Sequence, residues 1–228
     1  DLENTSLAEL LCEADKIERI ERIRLSSIEP MALNSAFVDA IKECKKLCPH
    51  FHISLQSGCD ATLKRMNRHY TTAQFEEIVI GLRNAFDGCA ITTDIMTGFA
   101  GETDEEFEQT LEFVNRIGFS EAHVFQYSQR RGTPAAKRPD QVSPEVKEAR
   151  SKIIIDATEL SRNEFLKSHI GKTVEVLFET ETKDGLYEGK TANYITVHAE
   201  CDRDIRGQFG NVLLENVKNG IMFGKTVD

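Results

Sequence analysis

Short β-branched or apolar runs begin at about residues 22, 51, 90 and 121, and each leads through a loop, usually into a stretch of helical periodicity. No other feature limits the fold as strongly. Strands separated by helices pair in parallel, and their crossovers are right-handed. The runs are Ile23, Leu25 and Ser27 before Pro30, then FHISL (51–55), CAITTDIM (89–96) and EAHVFQY (121–127). Between them, a capping box at Ser6–Glu9 opens a helix with Leu7, Leu10, Leu11 and Ala14 at helical spacing. Asn34 or Ser35 starts a second helix carrying Phe37, Val38, Ile41 and Leu47, which Pro49 ends. A short helical piece around Leu63 and Met66 precedes a longer helix from Thr72 to Phe86, and Thr103 to Glu106 caps another with Phe107, Leu111 and Val114. After the turn-rich stretch GTPAAKRPDQVSP (132–144), a long helix is predicted from about Pro144 to Ile170.

From Gly171 the texture changes to short alternating runs: TVEVLFE, LYEGKT, YITVHA, NVLLENV and GIMFGKTV, separated by turns such as Asp184-Gly185 and Asn219-Gly220. Five short strands in so few residues predict a small closed barrel. The expected fold is therefore α/β: a partial parallel βα barrel over 1–167, then a small all-β, OB-like barrel over 168–228.

Composition narrows the function. With 38 acidic against 28 basic residues the net charge is −10, which excludes a broad electrostatic grip on nucleic acid and leaves only local basic clusters. No apolar run approaches the ~20 residues of a membrane span, and no secretory leader is visible. Cysteines 12, 44, 48, 59, 89 and 201 lack disulfide spacing, so a reducing, cytoplasmic compartment is expected. The first residue is Asp1, which suggests processing or a longer parent chain.

The segment TGFAGETDEE (97–106) carries the chemistry. A glycine-bearing loop that opens a helix can cradle phosphate. Here Glu102, Asp104, Glu105 and Glu106 crowd the same turn, and no Lys or Arg lies between Arg83 and Arg116 along the chain, so a triphosphate would be repelled. Gly98 and Gly101 lack Cβ atoms and let backbone approach a ring or sugar edge, while Glu102 can offer a carboxylate to an amine or hydroxyl. The plainer reading is that Gly101 makes the turn and the acids complement the helix dipole.

Four segments, IRLSSIEP (23–30), HISLQSGCDATLKRMNRHYT (52–71), TTDIMTGFAGETDEEF (92–107) and HVFQYSQRRGTPAA (123–136), resemble in order and spacing the radical S-adenosylmethionine methylthiotransferases, the MiaB, RimO and MtaB-type enzymes. SSIEP is most similar to the MtaB subgroup, and the terminal barrel resembles a TRAM domain. Ala100 departs from the family pattern, which usually has Pro there. The resemblance implies a partial radical-SAM-type barrel holding S-adenosylmethionine at the C-terminal ends of its strands. Gly98, Gly101 and Glu102 would lie beside it, Gln56 and Ser57 toward its ribose and methionine end, and Phe125 and Gln126 near the adenine. The implied activity is methylthiolation of threonylcarbamoyladenosine beside the tRNA anticodon. A RimO-type enzyme acting on a ribosomal protein, an RNA-binding scaffold, and a βα enzyme using Glu102 with His52 or His123 as acid and base are the rivals.

The family also uses a 4Fe–4S cluster on a C-x-x-x-C-x-x-C loop. Here Cys44-Lys-Lys-Leu-Cys48 is followed by Phe51 at the third position, and the pair falls on a predicted helix. The resemblance therefore implies that no metal ligand and no catalytic residue lies in this chain, both being upstream. The chain alone is expected neither to hold a stable cluster nor to cleave the cofactor. Cys59 is expected to be the accessible thiol. The first strand, around Ile23 and Leu25, is expected to expose an edge and a face that could drive self-association. Two basic clusters, Lys64, Arg65, Arg68 with His69, and Arg130, Arg131 with Lys137 and Arg138, follow strand C-termini and either meet tRNA phosphates or form solvated faces. In the terminal barrel Tyr187, Tyr194 and Phe209 either stack bases or serve as core and cross-strand pairs.

Overall fold

The computed structural model describes residues 6–227. The first helix begins as its capping box requires: Ser6 Oγ receives the Glu9 N–H at 3.2 Å and the Glu9 carboxylate receives the Ser6 N–H at 2.8 Å. This opens α1 (Leu7–Asp15), which packs beside α2 (Ser35–Ile41), capped by Asn34. The chain then runs β1 (His50–His52), α3 (Asp60–Arg65), α4 (Thr72–Ala85), β2 (Ala90–Thr97), α5 (Asp104–Ile117), β3 (Glu121–Gln126) and α6 (Pro144–Lys167). Capping boxes at Thr71/Gln74 and Thr103/Glu106 start α4 and α5, and Gly118, left-handed at φ 63°, stops α5.

The parallel sheet has the order β1-β2-β3, with His50 opposite Ala90 and Thr92 opposite Glu121. Four strands were expected. Among the described residues, 23–28 instead form isolated parallel bridges, Ile23 to Leu47 before β1 and Ile28 to Ile53 just after it. The same pairing shortens α2. Leu47 must be extended to bridge Ile23, so the helix ends at Ile41, and Cys44 and Cys48 lie in the following turns rather than on one helix face. Leu25, expected on an exposed face, is buried in the main core, and Ile23 is half-buried against it.

Side chains alternate across the sheet with the period of two that strands impose. Phe51, Ile53, Leu55, Ile91 and Ile95 point into a core shared with Phe75, Leu82, Phe113 and Phe119 from the helices and loops. Phe75 packs edge-on against Phe113 and Phe119, ring centroids 6.1 Å apart in both pairs. The intervening residues, His50, His52, Asp94, Met96, His123 and Phe125, form the sheet's other face, which is exposed at His123 and Phe125.

The small barrel is closed in the order β4-β5-β6-β8-β7, from β4 (Thr173–Glu181), β5 (Tyr187–Thr191), β6 (Thr196–Glu200), β7 (Phe209–Lys218) and β8 (Ile221–Val227). Closure leaves no free strand edge. Val176, Phe178, Val197, Val212, Leu214 and Met222 fill it and are fully buried. Helix α6 serves both parts: Ile154 lies in the first core and Leu166 in the second. The barrel sits against the N-terminal ends of the parallel strands. Asn193 Nδ2 donates to the Gly88 carbonyl at 2.9 Å, and Arg22 Nη1 donates to the Lys190 carbonyl at 2.9 Å. Among the described residues no helix is long and apolar enough to cross a membrane.

Candidate functional site

The loop after β2 is at the opposite, C-terminal end of the sheet. Gly98 (φ 68°) and Gly101 (φ 79°) are both left-handed, so each position favours glycine on backbone grounds alone. The side each glycine leaves open is filled from within the chain. A Cβ on Gly98 would collide with the stem of Lys147, and one on Gly101 with Asp140 and Arg138. Gly101 N–H donates to the Asp140 carbonyl at 2.8 Å, pinning the segment before α6 onto the loop.

Glu102 is spent inside the protein: its side chain is 3% exposed, and Oε1 accepts from Gly98 N–H at 3.1 Å and from Arg150 Nη1 at 2.7 Å. Arg150 also reaches Asp104 at 2.6 Å, and Arg65 grips Glu106 through both guanidinium nitrogens. Burial pushes the Glu102 carboxyl up, opposed by the Gly98 N–H and Arg150, whereas Arg65 holds Glu106 below the usual carboxylate range. The charge reading from sequence therefore needs correcting. The turn is free of cations along the chain but not in space, where Arg65 and Arg150 neutralise three of its four carboxylates.

Just before this loop, Gln56 bridges Ile95 and Phe125 pairs with Met96. Gln56 has φ 65°, a costly conformation for a residue with a Cβ, while its N–H bonds the Asp94 carbonyl at 2.8 Å. Phe125 is 53% exposed, a large ring left in the open beside exposed Gln126. Ser57 points the other way: it is buried, with Oγ 3.2 Å from Thr110 Oγ1. Toward the small barrel the sheet face that carries Phe125 becomes polar, around a cleft of about 320 Å³ lined by Arg24, His50, His52, Asp94, His123 and Tyr194 among others. His52 is fixed by both ring nitrogens, 3.3 Å from Asp94 Oδ2 and 3.0 Å from Thr92 Oγ1. Among the described residues no hydrogen bond or ion pair joins His52 to Glu102, whose carboxylate is taken by Arg150 of α6. His50 is buried with Nδ1 unpartnered, and burial followed by Arg24 lowers its pKa to about 4.

An exposed aromatic ring, a strained Gln56 and a free Gln126 at one strand end fit a nucleoside cofactor. The thiols do not fit a 4Fe–4S cluster, because among the described residues no three His, Cys, Asp or Glu side chains are grouped to hold a metal. Cys12 and Cys44 stand in sulfur contact at 3.5 Å, and burial raises Cys44 to about 11 and Cys89 to about 12. Cys59, expected to be accessible, is 2% exposed, and its N–H donates to Ser57 Oγ at 3.2 Å.

The basic clusters divide. Arg65 is committed to Glu106, and Arg68 bonds Glu29 at 3.0 Å on the surface, while Lys64, Arg130 and Arg131 are exposed and take no part in the ion pairs among the described residues. Of the aromatic candidates, Tyr187 is core, edge-on to Phe178 at 6.4 Å. Tyr194 and Phe209 face the larger domain instead, under the guanidinium groups of Arg24 at 4.2 Å and Arg22 at 4.7 Å. They are docking residues between the two parts. Sequence reasoning missed Lys147, Arg150 and Ser151, although their i, i+3, i+4 spacing just inside a Pro-started helix marks one polar face.

Residues 2–114 match the family model described as the Radical SAM superfamily. The chain is 38% identical over 227 residues to the tRNA-2-methylthio-N(6)-dimethylallyladenosine synthase of Acetivibrio thermocellus, covering 99% of this chain and 47% of that protein. It is 36% identical over 217 residues to the threonylcarbamoyladenosine tRNA methylthiotransferase MtaB of Bacillus subtilis, covering 93% and 48% respectively. Among solved structures, coproporphyrinogen III oxidase (HemN) from Escherichia coli, described as a radical SAM enzyme, superposes with a TM-score of 0.54 at 13% identity, over 85% of this chain and 46% of that one. At that identity the likeness shows the fold alone: a partial βα barrel, followed here by a closed small barrel. The chain spans about half the length of the curated relatives it matches.

Proposed function

We propose, from a chain that matches the Radical SAM superfamily over residues 2–114 and tRNA methylthiotransferases over nearly all its length, that it is part of an enzyme that methylthiolates an adenosine beside the tRNA anticodon. Two units divide the work in this reading, a barrel portion over 1–167 and a TRAM-like barrel over 168–228. The observation that carries the proposal is the placement of strained Gln56, bridged to Ile95, and exposed Phe125, paired with Met96, just before the Gly98–Glu102 loop at one end of the parallel sheet.

One S-adenosylmethionine held there would supply the adenosyl group from which the radical is made, and a second would supply the methyl group. The chain's residues bind and orient. The Phe125 ring and Gln126 backbone receive the adenine, Gln56 the ribose edge, and the Gly98 turn bounds the pocket. Lys64, Arg130 and Arg131 follow the same strand ends and supply cations to tRNA phosphates. Because no three thiolates stand together among the described residues, cluster chemistry is assigned to ligands outside them, and the chain alone is inactive. The site of action is the cytoplasm.

The finer substrate is threonylcarbamoyladenosine, supported by the SSIEP form at residues 26–30. The second reading is dimethylallyladenosine, favoured by the 38% identity to a synthase of that name. Nucleoside mass spectrometry of tRNA from a methylthiotransferase-null strain carrying the full-length gene decides between them. Methylthio-threonylcarbamoyladenosine is the expected product. The dimethylallyl product alone selects the second reading, and modified ribosomal protein with unmodified tRNA overturns both.

A further inference from the structure

The first two turns of α6 reach the Gly98 loop through one helix face. Lys147 lays its stem on Gly98 and donates Nζ to the Tyr127 carbonyl at 2.9 Å. One turn on, Arg150 donates to the Glu102 carboxylate at 2.7 Å, to the Glu102 carbonyl at 3.2 Å and to Asp104 at 2.6 Å. Ser151 Oγ lies 2.8 Å from Thr97 Oγ1, on the last residue of β2. Arg150 is 7% exposed at its side chain and stacks 5.2 Å from the Phe107 ring centroid. A guanidinium this buried, with both terminal nitrogens used, has few rotamers open to it. Glu102 passes the constraint on, because the oxygen that meets Arg150 also takes the Gly98 N–H.

We propose that Arg150 is a positioning residue for the cofactor loop. It does not touch the ligand. Through Glu102 it sets the backbone path from Gly98 to Gly101, which directly follows the strand end flanked by Gln56 and Phe125, and so governs affinity without touching the ligand. The inference rests on the cofactor reading above for its purpose, but the ordering of the loop is testable by itself. Only Arg offers a planar fork that spans Glu102 and Asp104 at once, whereas Lys supplies a point charge that can serve one of them.

The test pairs hydrogen exchange at the amides of residues 98–102 with calorimetric titration of S-adenosylhomocysteine, a stable analogue, on the 228-residue chain. Arg150→Lys keeps the charge. Arg150→Met with Glu102→Gln removes both charges, so that no lone carboxylate is left buried if Arg150→Met alone fails to fold. Loop exchange should rise about tenfold or more in the double variant while core amides of β1 and β2 hold. Analogue affinity should fall about tenfold or more, with Arg150→Lys recovering part of it. Unchanged loop exchange in both variants overturns the positioning role. Faster loop exchange with no affinity for the analogue even in the wild type supports the hold on the loop and overturns the cofactor reading instead. Faster exchange with wild-type affinity in the double variant shows that the loop's path does not govern binding, which also overturns the proposal.

Discussion

Gly98 and Lys147 share one space: the methylene stem of the lysine occupies the position that a β-carbon on the glycine would need. The glycine is thus required twice, by its φ of 68° and by the packing of α6 on the loop. Gly98→Ala is expected to cost about 1–3 kcal/mol, part from the left-handed backbone and part from displacing Lys147. Lys147→Ala in that background should return the steric part only. Thermal unfolding of the two variants and their combination checks this, and a Gly98→Ala protein that melts with the wild type would refute it.

Acid should loosen the base of the sheet before it reaches the carboxylates. His50 titrates near 4 when folded because it is buried beside Arg24, against about 6.5 when unfolded. The unfolded chain takes up the proton first, so stability falls as pH drops from about 6.5 to 4 and the loss is complete below that. The magnitude is on the order of 3 kcal/mol. His169 acts in the same direction: burial lowers its pKa, and its Nε2 lies 3.0 Å from the Asn193 amide nitrogen, which a protonated ring could no longer accept from. Urea unfolding at a series of pH values should show this slope, and His50→Asn should flatten most of it.

Much of this fold can be read along the chain because its signals are local. Capping boxes at Ser6, Thr71 and Thr103 start helices where expected, and the change to short alternating runs after Gly171 marks a closed barrel. What could not be read depends on distant partners. Glu102 meets Arg150 across 48 residues, and Arg65 meets Glu106 across 41, so neither the internal use of Glu102 nor the loss of Arg65 as a free cation has a local signature. Cys59 follows a Ser-Gly turn, which suggests exposure, yet the turn folds inward, with its Gly58 against Phe113 and Thr110.

Cys12 and Cys44 stand close enough to be joined with little movement, their sulfurs 3.5 Å apart between α1 and the turn after α2. Glutathione disulfide is expected to oxidise them as a pair. Cys12, the more exposed, attacks first and releases one glutathione thiol, and Cys44 then displaces the second. Peptide mapping should find the Cys12–Cys44 link, and Cys12→Ser should abolish it. Retention of all six free thiols after prolonged exposure would contradict the expectation.

RNA affinity should rest on the exposed cations rather than on the barrel aromatics. Charge reversal at Lys64, Arg130 and Arg131 together is expected to weaken binding of an anticodon stem-loop and shallow its salt dependence by roughly two to three phosphate contacts. Tyr194→Ala should leave that slope unchanged and instead lower the unfolding temperature, since Tyr194 holds Arg24 and lies 5.0 Å from His50. Filter binding across a salt series separates the two effects, and a slope that moves with Tyr194 but not with the cations would reverse the assignment.

The most direct test of the central claim is a crystal structure of the chain soaked with S-adenosylhomocysteine. The adenine should lie against Phe125 and the ribose beside Gln56, on the sheet face that carries Phe125, with the Gly98–Gly101 turn closing the pocket. Analogue density confined to the cleft beside Tyr194, or none at millimolar soak in a lattice that leaves Phe125 free, would contradict it.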